Sequence, residues 1–203
     1  MDNATETKPK KKKHQCVTPE FRVSFPQVFK PKAFENQEAK FSIQMLFAKS
    51  TDITELRKIV FECAAEKWGK DKTKWPRGLR FPFKNGDEKA DLQGYAGHTV
   101  VGASSKMQPG VVSSAVDPAT GKLEVLSEES GRFYAGCYAR ASVMAYTYDK
   151  AGNRGVSLSL QNVQKLGDGE AFSGRRQADD EFDPVERPDA DSEDPDNYDL
   201  GDG

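Results

Sequence analysis

The sequence predicts a mainly β protein with one α-helix, set between a basic N-terminal arm and an acidic C-terminal tail. Three observations predict it. Across most of the middle of the chain, apolar and polar residues alternate, the period of a half-buried strand. A single stretch, from 52 to 69, repeats at helical spacing instead. Charge is also segregated: residues 179–203 hold twelve acidic residues and one basic (Arg187), a net of −11, whereas residues 1–178 hold 29 basic and 20 acidic, a net of +9. The division that follows is a disordered arm over 1–15, a folded domain over 16–177 and a disordered tail over 178–203. A basic body carrying a detached acidic tail points to a polyanionic partner. The mean hydropathy of −0.75 agrees with part of the chain lying outside a packed core. No apolar run is long enough to span a membrane. Cys16, Cys63 and Cys137 are odd in number and far apart, which suits a reducing compartment without a disulfide framework.

The arm contains lysines 8 and 10–13, a charge run suited to loose phosphate attraction or to solubility. Residues 17–29 alternate Phe21, Val23 and Phe25 with Arg22 and Ser24, and Pro26 demands an edge or bend there. A link over 30–38 exposes Lys30, Lys32 and Phe34 as a candidate binding loop. The next strand, 39–48, turns Phe41, Ile43, Met45 and Phe47 inward and Lys40, Ser42 and Gln44 outward. Asp52 and Glu55 are spaced as a capping box for the helix, Ile53, Leu56, Ile59, Val60, Cys63 and Ala64 form its apolar face, and Gly69 ends it. Residues 70–97 lack a period; Trp75, Phe81 and Phe83 alternate there with Arg77, Arg80 and Lys84, a mixture that fits either a strand-gripping loop or rings pinning the loop to the core. Further strands are expected at 98–107, 111–116, 122–126 and 154–165.

The stretch 132–148 organises the chain. As one strand it puts Phe133, Ala135, Cys137, Ala139, Ala141, Val143 and Ala145 on one face, small enough to pack. The other face carries Arg132, Tyr134, Tyr138, Arg140, Tyr146 and Tyr148. Rings that stack on bases beside cations that meet phosphates can hold a single nucleic-acid strand without reading its sequence. Tyrosine also serves strands simply as packing. Lys106 and Arg154 add to the cationic set.

Motifs for catalysis are missing. There is no GxxxxGK[ST] or GxGxxG, and no CxxC or HxxxH to ligate zinc. Cys137 sits on the inward face, away from a nucleophile's place. Asp87, Glu88 and Asp91 are the one carboxylate group resembling a metal-nuclease cluster, on a hydrophilic turn beside Asn85-Gly86. The expectation is a binding protein with no cofactor, not an enzyme.

Several segments resemble a family of single-stranded-DNA-binding proteins of tailed bacteriophages: TPEFRVSFP at 18–26, KFSIQMLF at 40–47, EKWG at 66–69, FKNGDEK at 83–89, GCYARASV at 136–143 and GNRGVSLSLQNVQ at 152–164. The resemblance implies an OB-like antiparallel β-barrel with one α-helix. It also implies sequence-independent coating of single-stranded DNA in phage replication, recombination or repair, in the cytoplasm of the infected bacterial host. The helix follows the second strand, whereas OB-folds commonly place theirs between strands three and four. The expected DNA-binding residues are Lys30, Lys32, Phe34, Lys106, Arg132, Tyr134, Tyr138, Arg140, Tyr146, Tyr148 and Arg154. Weaker binding of duplex DNA or RNA is compatible with such contacts, as is a homodimer. The tail, with Phe182, Tyr198 and Leu200 among its acids, is expected to compete with DNA or to dock replication proteins. The rival readings are a single-strand annealing protein and a metal-dependent nuclease using Asp87, Glu88 and Asp91.

Overall fold

Nine strands and one long helix follow one another in the computed structural model, which describes residues 13–33, 38–150 and 152–172. The strands are β1 (Gln15–Val17), β2 (Phe21–Lys32), β3 (Lys40–Ala48), β4 (Phe83–Asn85), β5 (His98–Ser105), β6 (Gly110–Val116), β7 (Leu123–Val125), β8 (Tyr138–Lys150) and β9 (Asn153–Gly167), with helix α1 (Thr54–Trp68) between β3 and β4. The expectations for the arm before Lys13, for Phe34 and for the acidic tail fall outside the described residues.

The strand pairings return on themselves. β8 pairs with β2, β2 with β3, β3 with β5, β5 with β9, and β9 again with β8. The expectation of a wholly antiparallel sheet needs correcting, because β9 runs parallel to both β5 and β6. Inside the ring most of the alternation is as the sequence has it: Val23, Ile43, Met45, Phe47, Val101, Val143, Leu158 and Leu160 are buried. Phe25, expected on the face of Phe21 and Val23, is instead exposed and Ser24 is buried, because the register of β2 slips there. Phe21 meets Phe47 edge-on, with centroids 5.5 Å apart. Helix α1 contributes Leu56, Ile59, Val60, Cys63 and Ala64 to the same core. Its start differs from a capping box. Asp52 accepts a hydrogen bond from the Thr54 N–H at 2.9 Å, but the N-cap position is Ile53, and Glu55 turns to Lys58 instead. Gly69 ends the helix at φ +91°, and its N–H donates to the Ala65 carbonyl.

Strand bounds shift where tertiary contacts intervene. Pro26 lies within β2, at the irregularity where its register with β3 slips between Ser24 and Gln27 and Phe25 takes φ +45°. The long strand expected over 132–148 begins only at Tyr138 and runs on to Lys150. Residues 132–137 bend instead, because Gly136 takes φ +108° and the segment Glu170–Phe172 lies directly on it. A Cβ there would sit 2.0 Å from the Glu170 carbonyl oxygen.

That segment is strapped down. The Phe172 N–H donates to the Ala135 carbonyl at 2.8 Å, and the Tyr134 hydroxyl lies 3.0 Å from both the Asp168 carboxylate and the Gly169 carbonyl. The Arg22 guanidinium donates to the carbonyls of Gly136 (3.1 Å) and Glu170 (2.6 Å). It also lies between the rings of Phe172 and Tyr138. Phe172 completes a small second core with Leu46, Leu92, Tyr95 and Val100.

Candidate nucleic-acid interface

Register places the outward-facing side chains of the ring in transverse rows. Gln27 on β2 stands opposite Ser42 on β3, Ser42 opposite Ser104 on β5, Ser104 opposite Ser159 on β9, and Ser159 opposite Met144 on β8. Three short hydroxyl side chains thus run in line across three neighbouring strands, and Met144 closes the row on the fourth. At roughly 4.8 Å between strands, the row from Ser42 to Met144 is about 14 Å long. Such a floor is wettable, low and without charge.

A shallow cleft of about 330 Å³ opens over it, lined by Lys40, Ser104, Ser105, Lys106, Met144, Tyr146 and Ser159. Tyr146 stands on β8 two residues beyond Met144, where the pleat returns it to the same face, and is 38% exposed. On the other flank the strand ends of β2 and β3 bring Lys32 opposite Lys40, and Lys106 follows β5 directly. Glu38 sits among these cations, with its carboxylate 2.5 Å from the Lys106 ammonium. That hydrogen bond, with the charges of Lys40 and Lys150 adding to it, holds the Glu38 carboxyl below the usual carboxylate range. The cleft therefore has an aromatic wall, a hydroxyl floor and a lysine wall.

The structure brings together only part of the set expected from sequence. Tyr146 and Lys106 line the cleft, Lys32 lies at its lysine flank, and Tyr148 is next on the same face of β8, opposite Gly155. Tyr138 and Arg140 lie farther down β8. Arg140 is six positions from Tyr146, about 20 Å of strand. The Tyr138 ring is covered by Arg22, and the Arg140 guanidinium donates to Gln164 at 2.8 Å. Tyr134 is part-buried under the strap, and burial pushes its phenol pKa up. Lys30 and Arg132 pair with Glu128 (2.7 Å) and Glu124 (2.5 Å) near the β6–β7 hairpin. Arg154 pairs with Asp149 at 3.1 Å, at the turn between β8 and β9.

Lys40, Ser104, Ser105, Met144 and Ser159 are the lining residues that sequence reasoning did not select. Alternation had marked Lys40 as outward; what it lacked was the register that sets β3 beside β5. Of the carboxylates considered as a metal cluster, Asp87 is engaged elsewhere. Asp87 binds the Lys49 ammonium and accepts the Gly97 N–H at 2.7 Å, and among the described residues no three candidate ligands converge. The thiols of Cys63 and Cys137 are buried, and burial raises the pKa of each. No described helix is long and apolar enough to cross a membrane.

Comparison with known proteins gives a consistent picture. A family model described as the ssDNA-binding protein of Enterobacter phage Enc34 matches residues 14–195. Protein p50 of Acyrthosiphon pisum secondary endosymbiont phage 1 is 38% identical over 162 residues, covering 75% of this chain and 83% of that protein. Among solved structures, the single-stranded DNA-binding protein from bacteriophage Enc34 in complex with ssDNA aligns with a TM-score of 0.63 at 23% identity, over 79% of this chain and 90% of that one. The single-stranded DNA binding protein gp2.5 of bacteriophage T7 aligns with a TM-score of 0.54 at 14% identity, over 80% and 97%. At these identities the structural likeness is one of fold.

Proposed function

The chain belongs to the family of phage ssDNA-binding proteins that includes the one from Enterobacter phage Enc34, and from that premise we propose that it holds single-stranded DNA across the serine-floored cleft, without regard to sequence. The observation that carries the reading is the meeting of Tyr146 with Lys40 and Lys106 over one low floor. In this mechanism a base stacks on Tyr146, and the backbone runs over the serines with its phosphates toward the lysine wall. A floor of small hydroxyls makes no pattern of donors and acceptors that would prefer one base, so stacking and charge supply the affinity. Tyr148 and Arg154 extend the path along β8 and its turn into β9. Lys30, Arg132, Tyr134, Tyr138 and Arg140 lie outside it and contribute long-range field or fold stability.

The closed cycle of strand pairings is the connectivity an OB-type barrel needs, and an OB groove runs across its second and third strands, here β3 and β5. We read the protein as a coat for exposed strands during phage DNA replication, recombination or repair inside the host cell, a binding role without catalysis. The folded domain begins with β1 at Gln15, one residue before the expected start at 16. The acidic residues of 179–203 compete for the lysine wall as phosphate mimics, or dock replication proteins.

Titrating the full chain with poly-dT by fluorescence, at several salt concentrations, tests this. The expected result is a linear fall of log K with log salt, made shallower by about 0.7 for each lysine of the wall replaced by alanine. Binding that ignores salt, or that survives the loss of Tyr146, Lys40 and Lys106 together, would overturn it. Neutralising the tail's carboxylates should tighten binding at low salt; unchanged affinity would remove the competitor role.

A further inference from the structure

The most cationic stretch of the described chain lies outside the cleft lining. Between 67 and 84 the sequence holds seven lysines and arginines against one acid, Asp71. All seven are exposed. Their ion pairing is slight: Lys74 lies 3.7 Å from Asp71, while Lys70 and Arg77 make no ion pair with a described residue. A loop this charged, held on the surface, gains nothing from its own fold for that charge.

The same loop is studded with half-buried rings. Trp75 lies over Phe61 of α1, with centroids 6.5 Å apart and planes 22° from parallel, and Phe81 fills the corner at 5.3 Å from Phe61. The indole N–H donates to the Gly69 carbonyl at 2.7 Å, which fixes the ring. The Lys72 ammonium sits 4.6 Å from the Phe61 centroid, and the Arg57 guanidinium 4.7 Å from that of Phe83. Fixed rings beside unpaired cations are what a single strand requires, a π-face for bases and positive charge for the backbone.

The loop is also joined to the cleft. Arg80 is stitched by backbone hydrogen bonds to Arg154 and Val156, beside Gly155. Gly155 faces Tyr148, which lies two residues, about 7 Å, along β8 from Tyr146. A strand leaving the Tyr146 wall toward the β8–β9 turn would come to this loop next.

We propose that the loop of residues 70–77, with Trp75 as its stacking ring, is a second contact surface for the same DNA strand, reached only by strands longer than the cleft. This rests on the binding function proposed above. Phosphates would meet Lys72, Lys74 and Arg77, and a base would cover the exposed part of the Trp75 ring.

The test compares oligothymidines of five and twenty nucleotides, using the full chain and its K72A/K74A/R77A variant, with circular dichroism confirming the fold. The expected result is unchanged affinity for the short oligonucleotide and at least a tenfold loss for the long one. The salt slope for the long one should fall by about 2, three contacts at roughly 0.7 each. In a Trp68→Phe background, where Trp75 is the remaining indole, the long oligonucleotide should quench fluorescence and the short one should not. Equal losses on both lengths, no loss on the long one, or quenching by both would overturn the assignment. So would tighter binding by the triple variant, which would give the loop to the acidic residues of 179–203 instead. A parent protein that bound neither oligonucleotide would overturn the binding function itself.

Discussion

The guanidinium carbon of Arg22 lies 4.4 Å from the centroid of the Phe172 ring, joining the start of β2 to the last described residue of the chain. Two donated hydrogen bonds, to Gly136 and Glu170, and the Tyr138 ring on its other side complete the clasp. Arg22 is thus the bolt of the strap, and the acidic stretch begins just beyond it in sequence.

Replacing Arg22 by alanine removes both charged hydrogen bonds and both cation–π contacts. The expected cost is about 2 kcal/mol of stability, a fall of roughly 4–8 °C in melting temperature for a chain of this size. Limited proteolysis with a protease of broad specificity should then cut within residues 168–172 before it cuts the ring. Wild-type melting together with wild-type protection would show that the strap holds without its bolt.

Gly136→Ala should be more damaging. The backbone there is at φ +108°, and the added methyl would meet the Glu170 carbonyl 2.0 Å away. Strain of that kind and displacement of the strap together cost about 2–4 kcal/mol. A denaturant melt measures it; a midpoint unmoved by the substitution would contradict the packing described.

For DNA binding, Tyr146→Ala is expected to weaken the complex by about 1–3 kcal/mol, one lost stack, while Tyr146→Phe keeps most of the affinity. Tyr138→Ala, whose ring lies under Arg22, should lower the melting temperature and leave affinity within a few-fold. Fluorescence titration and thermal melts on the same three proteins read both quantities. The reverse pattern would move the interface to the lower half of β8.

Acid should loosen the strap. The Lys165 ammonium, itself buried, lies 2.5 Å from Asp168 and, with the Tyr134 hydroxyl, holds the Asp168 carboxyl below the usual range. A carboxyl depressed in the fold stabilises above its unfolded pKa, and that stability is lost as pH falls through the folded value. Melting temperature should therefore fall below about pH 4, as Asp168 and the other depressed carboxyls, Glu38 and Asp87 among them, take up protons. An Asp168→Asn variant should be less stable at neutral pH and show a shallower acid limb; an identical limb would remove Asp168 from the account.

Much of the ring was legible in the sequence, because each strand's alternation is local and one face of each is buried. Ile43, Met45 and Phe47 read as core and are core. The start of β8 was not legible. Nothing within 132–137 announces that Glu170, more than thirty residues on, will lie against Gly136 and bend the chain. The cleft was half legible for a similar reason. Tyr146, Lys106 and the outward turn of Lys40 each follow from local pattern, but their meeting depends on the β3–β5 and β5–β9 registers, which no single segment contains. Tyr134 and Tyr138 carried the same sequence signal as Tyr146 and ended as packing, since one strand face passes from under the strap to open solvent.

The ring is sewn unevenly. β8 and β9 are paired along almost their whole length, while β5 meets β9 at one registered pair, Ser104 with Ser159. That seam runs beneath the cleft. Amides along it should exchange with solvent before those of the β8–β9 ladder, and an oligonucleotide lying across both serines would act as a suture, slowing exchange on the two strands at once.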